Sequence, residues 1–203
     1  MEDFVVMKRF QAVRSQSIRS MSTRSQMKVI GKLLLYPAVN SGADKLLEDA
    51  LVRISDVEMS ELLRVYMNFK QTLSSEQFWR MYVDAFEFSS ESSLYLADLL
   101  PASERDNLRS RLTGVYVRTG FTWHMHEFPD YLPLVLDFVA SSPRAQATAV
   151  LTELQPALRR LYDILRGAEN AYAPLIRACL LLSERFLAPV TSSQEPQLHA
   201  VAK

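Results

Sequence analysis

The 203-residue sequence predicts an all-α protein, a single compact domain of about eight or nine helices. Three observations point there. From Met27 to about Leu187, apolar residues recur at three- and four-residue spacing, the period of a helix with one buried face. Glycine occurs only 5 times, too seldom for a protein built from tight hairpin turns. No alternating apolar–polar run is long enough to specify a strand. With 48% hydrophobic and 23% charged residues, the chain can bury one substantial core.

Residues 1–24 read as a basic, Ser/Arg-rich N-terminal extension, expected to be flexible; an upstream start with Met21 or Met27 as the true initiator is the alternative. Residues 25–188 form the helical domain, and residues 189–203, which lack periodicity, read as a disordered tail. Within the domain, Val29, Ile30, Leu33 and Leu34 form a stripe that ends at Tyr36-Pro37. Asp44 is placed to cap a helix running to about Ile54. A third helix spans roughly 58–73 and is expected to bury Leu62, Leu63, Tyr66 and Phe69. Ser74 and Gln77 have capping-box spacing at the head of a fourth, whose Phe78, Tyr82, Ala85 and Phe86 share a face.

A serine-rich break leads to a short helical run at 94–100, and Pro101 suits the first turn of a helix that Gly120 ends. The segment 130–140 is apolar on nearly every side, the mark of a helix buried all round. Asp137, set between Leu136 and Phe138, is expected to be buried and paired. Helices at about 143–154, 156–168 and 171–187 complete the domain.

No segment approaches the run of about 18 apolar residues that a membrane helix needs, and the N-terminus lacks a signal-peptide pattern, so the cytoplasm is the expected location. The formal charge of zero hides an asymmetry: residues 1–40 hold seven bases against Glu2 and Asp3, which leaves the rest equally acidic. An acidic body suits a basic partner. The single cysteine, Cys179, sits in an apolar run and reads as a buried small residue. His124 and His126, followed by Glu127, could offer metal ligands but fall short of a closed zinc set, and solvated loop histidines are the expectation. No phosphate loop or nucleophile–base arrangement has recognisable spacing, so no catalytic residue, cofactor or metal is assigned.

The informative stretch is Glu127-Phe128-Pro129-Asp130-Tyr131-Leu132-Pro133-Leu134. With Asp130 as N-cap, its carboxylate would accept from the Leu132 amide, and Glu127 would add charge at the positive end of the helix. This motif, with the Leu-Val-Leu-Asp-Phe-Val-Ala run after it, resembles the hallmark of the nitrate-reductase delta-subunit (NarJ-like) chaperones among the TorD-like redox-enzyme maturation proteins. Weaker matches are Leu33–Pro37, Tyr82–Glu87 with Ser93–Leu96, and Tyr172–Leu175.

The resemblance implies an all-helical chaperone without cofactor or turnover. It would bind the N-terminal segment of an apo molybdoenzyme catalytic subunit, nitrate reductase by default, and hold it for insertion of the molybdenum cofactor. Molybdenum cofactor biosynthesis proteins are further implied partners. Carried over by position, Glu127, Pro129, Asp130 and Leu132 are the motif residues, Tyr131 among them is a further partner-binding candidate, and Tyr82, Phe86 and Tyr95 are candidates for the apolar wall of the groove. Client segments in this group are amphipathic and basic, which fits the acidic body. The N-terminal arm, with Phe4, Val5, Phe10 and Val13 interleaved with Lys8, Arg9 and Arg14, has the same make-up. The competing expectation is a helical adaptor or scaffold that uses this arm on nucleic acid or protein.

Overall fold

The computed structural model describes residues 20–37, 42–123 and 127–189. Among them are eight α-helices and no strand: α1 (Thr23–Leu33), α2 (Ala43–Arg53), α3 (Val57–Gln71), α4 (Ser75–Phe86), α5 (Ala102–Thr119), α6 (Leu132–Ser141), α7 (Arg144–Gly167) and α8 (Ala173–Leu187). A 3-10 turn, Leu96–Leu99, precedes α5. The expected all-α domain is what forms. No helix among the described residues is long and apolar enough to cross a membrane.

Helix α6 sits in the middle, packed against α1 and α7, while α8 packs on α7, α3 and α1. Seven of the ten α6 residues are buried, as its nearly all-round apolarity predicts. Gly31 sits at the α1–α6 crossing, where there is just room for a methyl group. A Cβ there would stand 3.4 Å from the Pro133 carbonyl and 3.5 Å from Leu136. At the start of α8, Tyr172 is fully buried, its ring 5.2–5.8 Å from those of Tyr66, Phe78, Tyr82 and Phe86. This aromatic cluster ties α8 to α3 and α4.

Several local rules are realised directly. The Ser74 hydroxyl accepts from the Gln77 amide and the Gln77 side chain accepts from the Ser74 amide, completing the capping box. Gly120 ends α5 with φ of 70°, the left-handed conformation glycine adopts at least cost. Cys179 is buried, and burial pushes its thiol pKa up, away from reactivity.

Other expectations are corrected. Asp44 caps nothing: α2 starts at Ala43 behind Gly42, and Asp44 pairs instead with Lys70 of α3. On α3 the cap is Asp56, which accepts from the Met59 amide at 2.7 Å; Leu63 and Tyr66 are buried, whereas Phe69 is 37% exposed. Pro101 precedes α5 rather than lying in its first turn. The break expected before Pro156 does not occur, and α7 runs through it. An interior proline costs about 3 kcal/mol. Here the apolar stripe continues across it, with Leu151 and Leu154 before and Ala157, Leu158 and Leu161 after all buried, and that burial outweighs the penalty.

The boundary expected after residue 24 falls inside α1. Ser22 caps the helix by accepting from Ser25, and Met21 is buried. Arg24 reaches across to the end of α6, donating to the carbonyls of Val139 (3.0 Å), Ala140 (3.1 Å) and Ser142 (2.6 Å). Carbonyls at a helix end have no partner within their own helix, and a cation is favoured there. Arg144 does the same for α8, donating to the Phe186 and Ala188 carbonyls. The Phe186 ring lies under both guanidiniums, at 5.3 and 4.8 Å. The serine- and arginine-rich composition that suggests an appendage therefore contains a helix cap and a clamp. Residues 1–19 and 190–203 lie outside the described residues.

Replacing Arg24 by Ala removes three charge-assisted hydrogen bonds and is expected to lower unfolding free energy by about 2 kcal/mol, measured by urea denaturation.

Candidate functional site

The motif loop is held from three directions. Backbone bonds join it to the segment before the 3-10 turn: the Leu96 amide donates to the Asp130 carbonyl (3.1 Å) and the Leu132 amide to the Leu94 carbonyl (2.8 Å). They flank an isolated antiparallel bridge between Tyr95 and Tyr131. From α5, the buried Tyr116 hydroxyl donates to the Pro129 carbonyl at 2.9 Å. From the α5–α6 connection, the Trp123 indole N–H donates to the Glu127 carbonyl at 3.1 Å.

Asp130 is completely buried and is not the N-cap of α6. That position belongs to Tyr131, and the Leu132 amide that Asp130 would have capped is taken by Leu94. Its carboxylate turns the other way. Oδ2 accepts from the Ala97 amide at 2.9 Å, which caps the 3-10 turn, and Oδ1 accepts from Arg109 Nε at 2.8 Å. The same guanidinium bonds Asp98 at 3.0 Å and covers the Phe128 ring at 4.3 Å. Burial works against the charge on Arg109, but Asp130 and Asp98 outweigh it and hold its pKa above the ordinary value. Asp130 thus offers no carboxylate to the surface; it fixes the loop.

Around this pinned loop the surface is concave. Tyr131 stands between two clefts. One, of about 540 Å³, is floored by Tyr36, Tyr82, Phe86, Tyr95 and Tyr131 and rimmed by Glu87 and residues 89–93. The other, of about 800 Å³, lies between α1 and the start of α6 and includes Gly31, Trp123, Glu127, Tyr131 and Leu134.

The fold therefore brings Tyr82, Phe86, Tyr95 and Tyr131 together in one wall, while Glu127 lines the other cleft with Tyr131. Tyr82 and Phe86 belong mainly to the core, at 3% and 8% exposure, and only their edges reach the cleft. Tyr95 packs against Tyr131 with ring centroids 5.2 Å apart. Burial, reinforced by the Glu127 carboxylate, raises the Tyr95 pKa. Pro129 and Leu132 are buried supports.

Charge on the smaller cleft is uneven. Arg105 is engaged with the Leu100 and Asp98 carbonyls, and Asp98 with Arg109. The carboxylates of Glu87 and Glu91 are exposed and have no ion pair among the described residues. Phe88, near them, is 83% exposed.

Asp137 is a correction. It is paired, with Lys28 at 3.6 Å, but its side chain is 56% exposed, because positions 134, 137 and 141 form the one solvent-facing strip of α6. His124, His126 and His199 lie outside the described residues, and so does the metal site considered at the first two. Among the described residues no group of three or more metal-ligating side chains occurs.

Two contributors, Arg109 and Tyr116, escape a reading by motif. Arg109 looks like one of several alternating charges, yet it falls on the same face as Leu112 and Tyr116 at helical spacing, which is the signal that it points inward. Tyr116 carries the same signal. Tyr36, which ends the first apolar stripe, packs edge-on against Tyr82 at 5.4 Å and accepts from the Trp79 indole N–H.

The described residues thus form a helical domain with an aromatic, acid-rimmed cleft beside a rigidly pinned loop. No protein-family model matches the chain. It is 27% identical over 155 residues to the probable nitrate reductase molybdenum cofactor assembly chaperone NarJ of Bacillus subtilis (strain 168), spanning 75% of this chain and 84% of that one. The nitrate reductase molybdenum cofactor assembly chaperone NarJ of Escherichia coli (strain K12) is 25% identical over 163 residues, 78% of this chain and 69% of its own. The probable chaperone NarW of the same strain is 30% identical over 165 residues, 77% and 67% respectively. The chain belongs to the family of nitrate reductase molybdenum cofactor assembly chaperones.

Asp130→Ala leaves Arg109 and the Ala97 amide without their shared partner and is expected to cost about 3–5 kcal/mol in urea denaturation. The Asp130→Ala/Arg109→Ala double variant should lose less than the sum of the single losses, by at least about 1 kcal/mol. Burial raises the phenol pKa of Tyr66, Tyr82, Tyr116 and Tyr172 above the ordinary 10.0. A raised folded-state pKa contributes stability below the unfolded value, which is lost as pH climbs above it. In an alkaline titration, phenolate absorbance from these residues should therefore rise together with loss of helical circular dichroism.

Proposed function

We propose that this protein is a chaperone, without turnover of its own, that captures the N-terminal segment of the apo catalytic subunit of a molybdenum-containing reductase and holds it while the molybdenum cofactor is inserted. The relatives' names make nitrate reductase the first candidate client. The observation that carries this reading is the smaller cleft, an aromatic floor with two carboxylates on its rim that have no ion pair among the described residues, next to the motif loop.

The chemistry of capture follows from that layout. Apolar side chains of an amphipathic segment gain by leaving water against Tyr95 and Tyr131, at about 25 cal/mol per Å² buried. Lysines or arginines on its other face meet Glu87 and Glu91, which steer approach and set orientation. Asp130, Arg109 and Tyr116 touch no client in this scheme. They keep Tyr95 and Tyr131 in place, so that the cleft is formed before binding and little ordering entropy is lost on capture.

The test is binding of a fluorescein-labelled peptide carrying the N-terminal segment of a nitrate reductase catalytic subunit. Glu87→Gln/Glu91→Gln is expected to weaken it about tenfold at low salt, with the gap narrowing as salt is added, while circular dichroism stays unchanged. Equal affinity for the wild-type and double-variant proteins overturns the assignment of this cleft.

A further inference from the structure

We infer that the same cleft also takes residues 1–19 of its own chain, so that the protein carries an intramolecular competitor for its client. This rests on the cleft being the client site. The first consideration is charge. Residues 1–19 contain four bases (Lys8, Arg9, Arg14 and Arg19) against Glu2 and Asp3. On the cleft rim the carboxylates without an ion pair among the described residues are those of Glu87 and Glu91, while Arg105 is occupied by the Asp98 and Leu100 carbonyls. The segment is thus a cation facing an anion, and Phe4, Phe10 and Val13 supply apolar anchors for the tyrosine floor.

Reach is the second consideration. The described chain begins at Ser20, whose hydroxyl bonds Ser55, while the Met21 amide donates to the Arg53 carbonyl, fixing the departure point beside the end of α2. Tyr36, in the cleft, follows the opposite end of α1. Eleven helical residues cover about 16 Å, and the few residues beyond each end add about 10 Å. Nineteen residues span about 60 Å when extended, so the segment can cross that distance and still lie along the cleft.

Tethering makes weak complementarity sufficient. A short linked segment has an effective concentration on the order of 1 mM. With an intrinsic Kd of about 100 μM it would occupy the cleft about nine-tenths of the time, and a client would bind about tenfold more weakly than to an open cleft. A client segment with more bases or larger anchors displaces the arm, whereas a weakly matched peptide does not. The cleft then selects by competition as well as by contact.

Cross-linking in the full-length chain tests this without any client. Phe10→Cys is combined with Ser90→Cys on the rim, or with Ser110→Cys on the outer face of α5 as the control. Cys179 is buried and does not compete. Under mild oxidation the disulfide between positions 10 and 90 should form within one chain at least about tenfold faster than the one between positions 10 and 110. Adding Lys8→Glu, Arg9→Glu and Arg14→Glu should remove the difference. Equal rates for the two pairs, or a disulfide that forms only between chains, overturns the inference. The two readings separate cleanly. A cleft that cross-links to position 10 but ignores the nitrate reductase peptide sinks the client assignment alone. One that binds the peptide but shows no preference for position 90 over position 110 sinks self-occupancy alone.

Discussion

The buried contact between Asp130 and Arg109 is the constraint on which the rest of the site depends. A carboxylate with no exposure is tolerable only if its lone pairs are used, and here a guanidinium from α5 and an amide of the 3-10 turn use them. Because the Asp130 carbonyl also accepts from Leu96, one residue bonds the turn through both backbone and side chain. Three stretches distant in sequence, 94–99, 105–116 and 127–134, are thereby fixed to one another. Remove the acid and the positive charge against Phe128 keeps only Asp98.

That arrangement separates two roles that could easily be confused in a motif rich in acids. Asp130 is inward and saturated. Glu87 and Glu91 are outward and unpaired among the described residues; Glu87 ends one of the weaker motif matches and Glu91 lies outside them. Beside them stand the rings of Tyr95 and Tyr131, packed together and bridged through their backbones. A rigid floor under a free rim is well suited to binding peptides of varied sequence, since apolar contact needs shape while charge attraction tolerates displacement.

Much of this is legible in the sequence, and the failures have local causes. Periodicity locates the helices, and Ser74 with Gln77, Gly120 and the apolar α6 stand out because each depends on neighbours within a few residues. Asp130 reads as a cap, but for the wrong element: its true partner, Ala97, lies 33 positions away and is brought near by the Tyr95–Tyr131 bridge. Asp44 misleads in the same manner, since a residue of capping type stands opposite an ion-pair partner on another helix. At Pro156 a strong local rule loses to the continuity of a buried stripe. Arg24, in a segment whose composition suggests an appendage, is hidden because the carbonyls it binds lie more than a hundred residues away.

Gly31 has a consequence for the larger cleft, which it lines. At Gly31, α1 sits against Pro133 and Leu136 with room for no more than a methyl group, and those two helices are also the cleft's opposing banks. Its aperture is therefore set by the same spacing that gives the helix pair its cohesion. Bulk beyond a methyl group at the crossing would widen that opening only by prying apart the pair at the centre of the domain. Variation in what enters there has to come from the banks' upper side chains, Lys28, Lys32 and Leu134, and not from the hinge line beneath them.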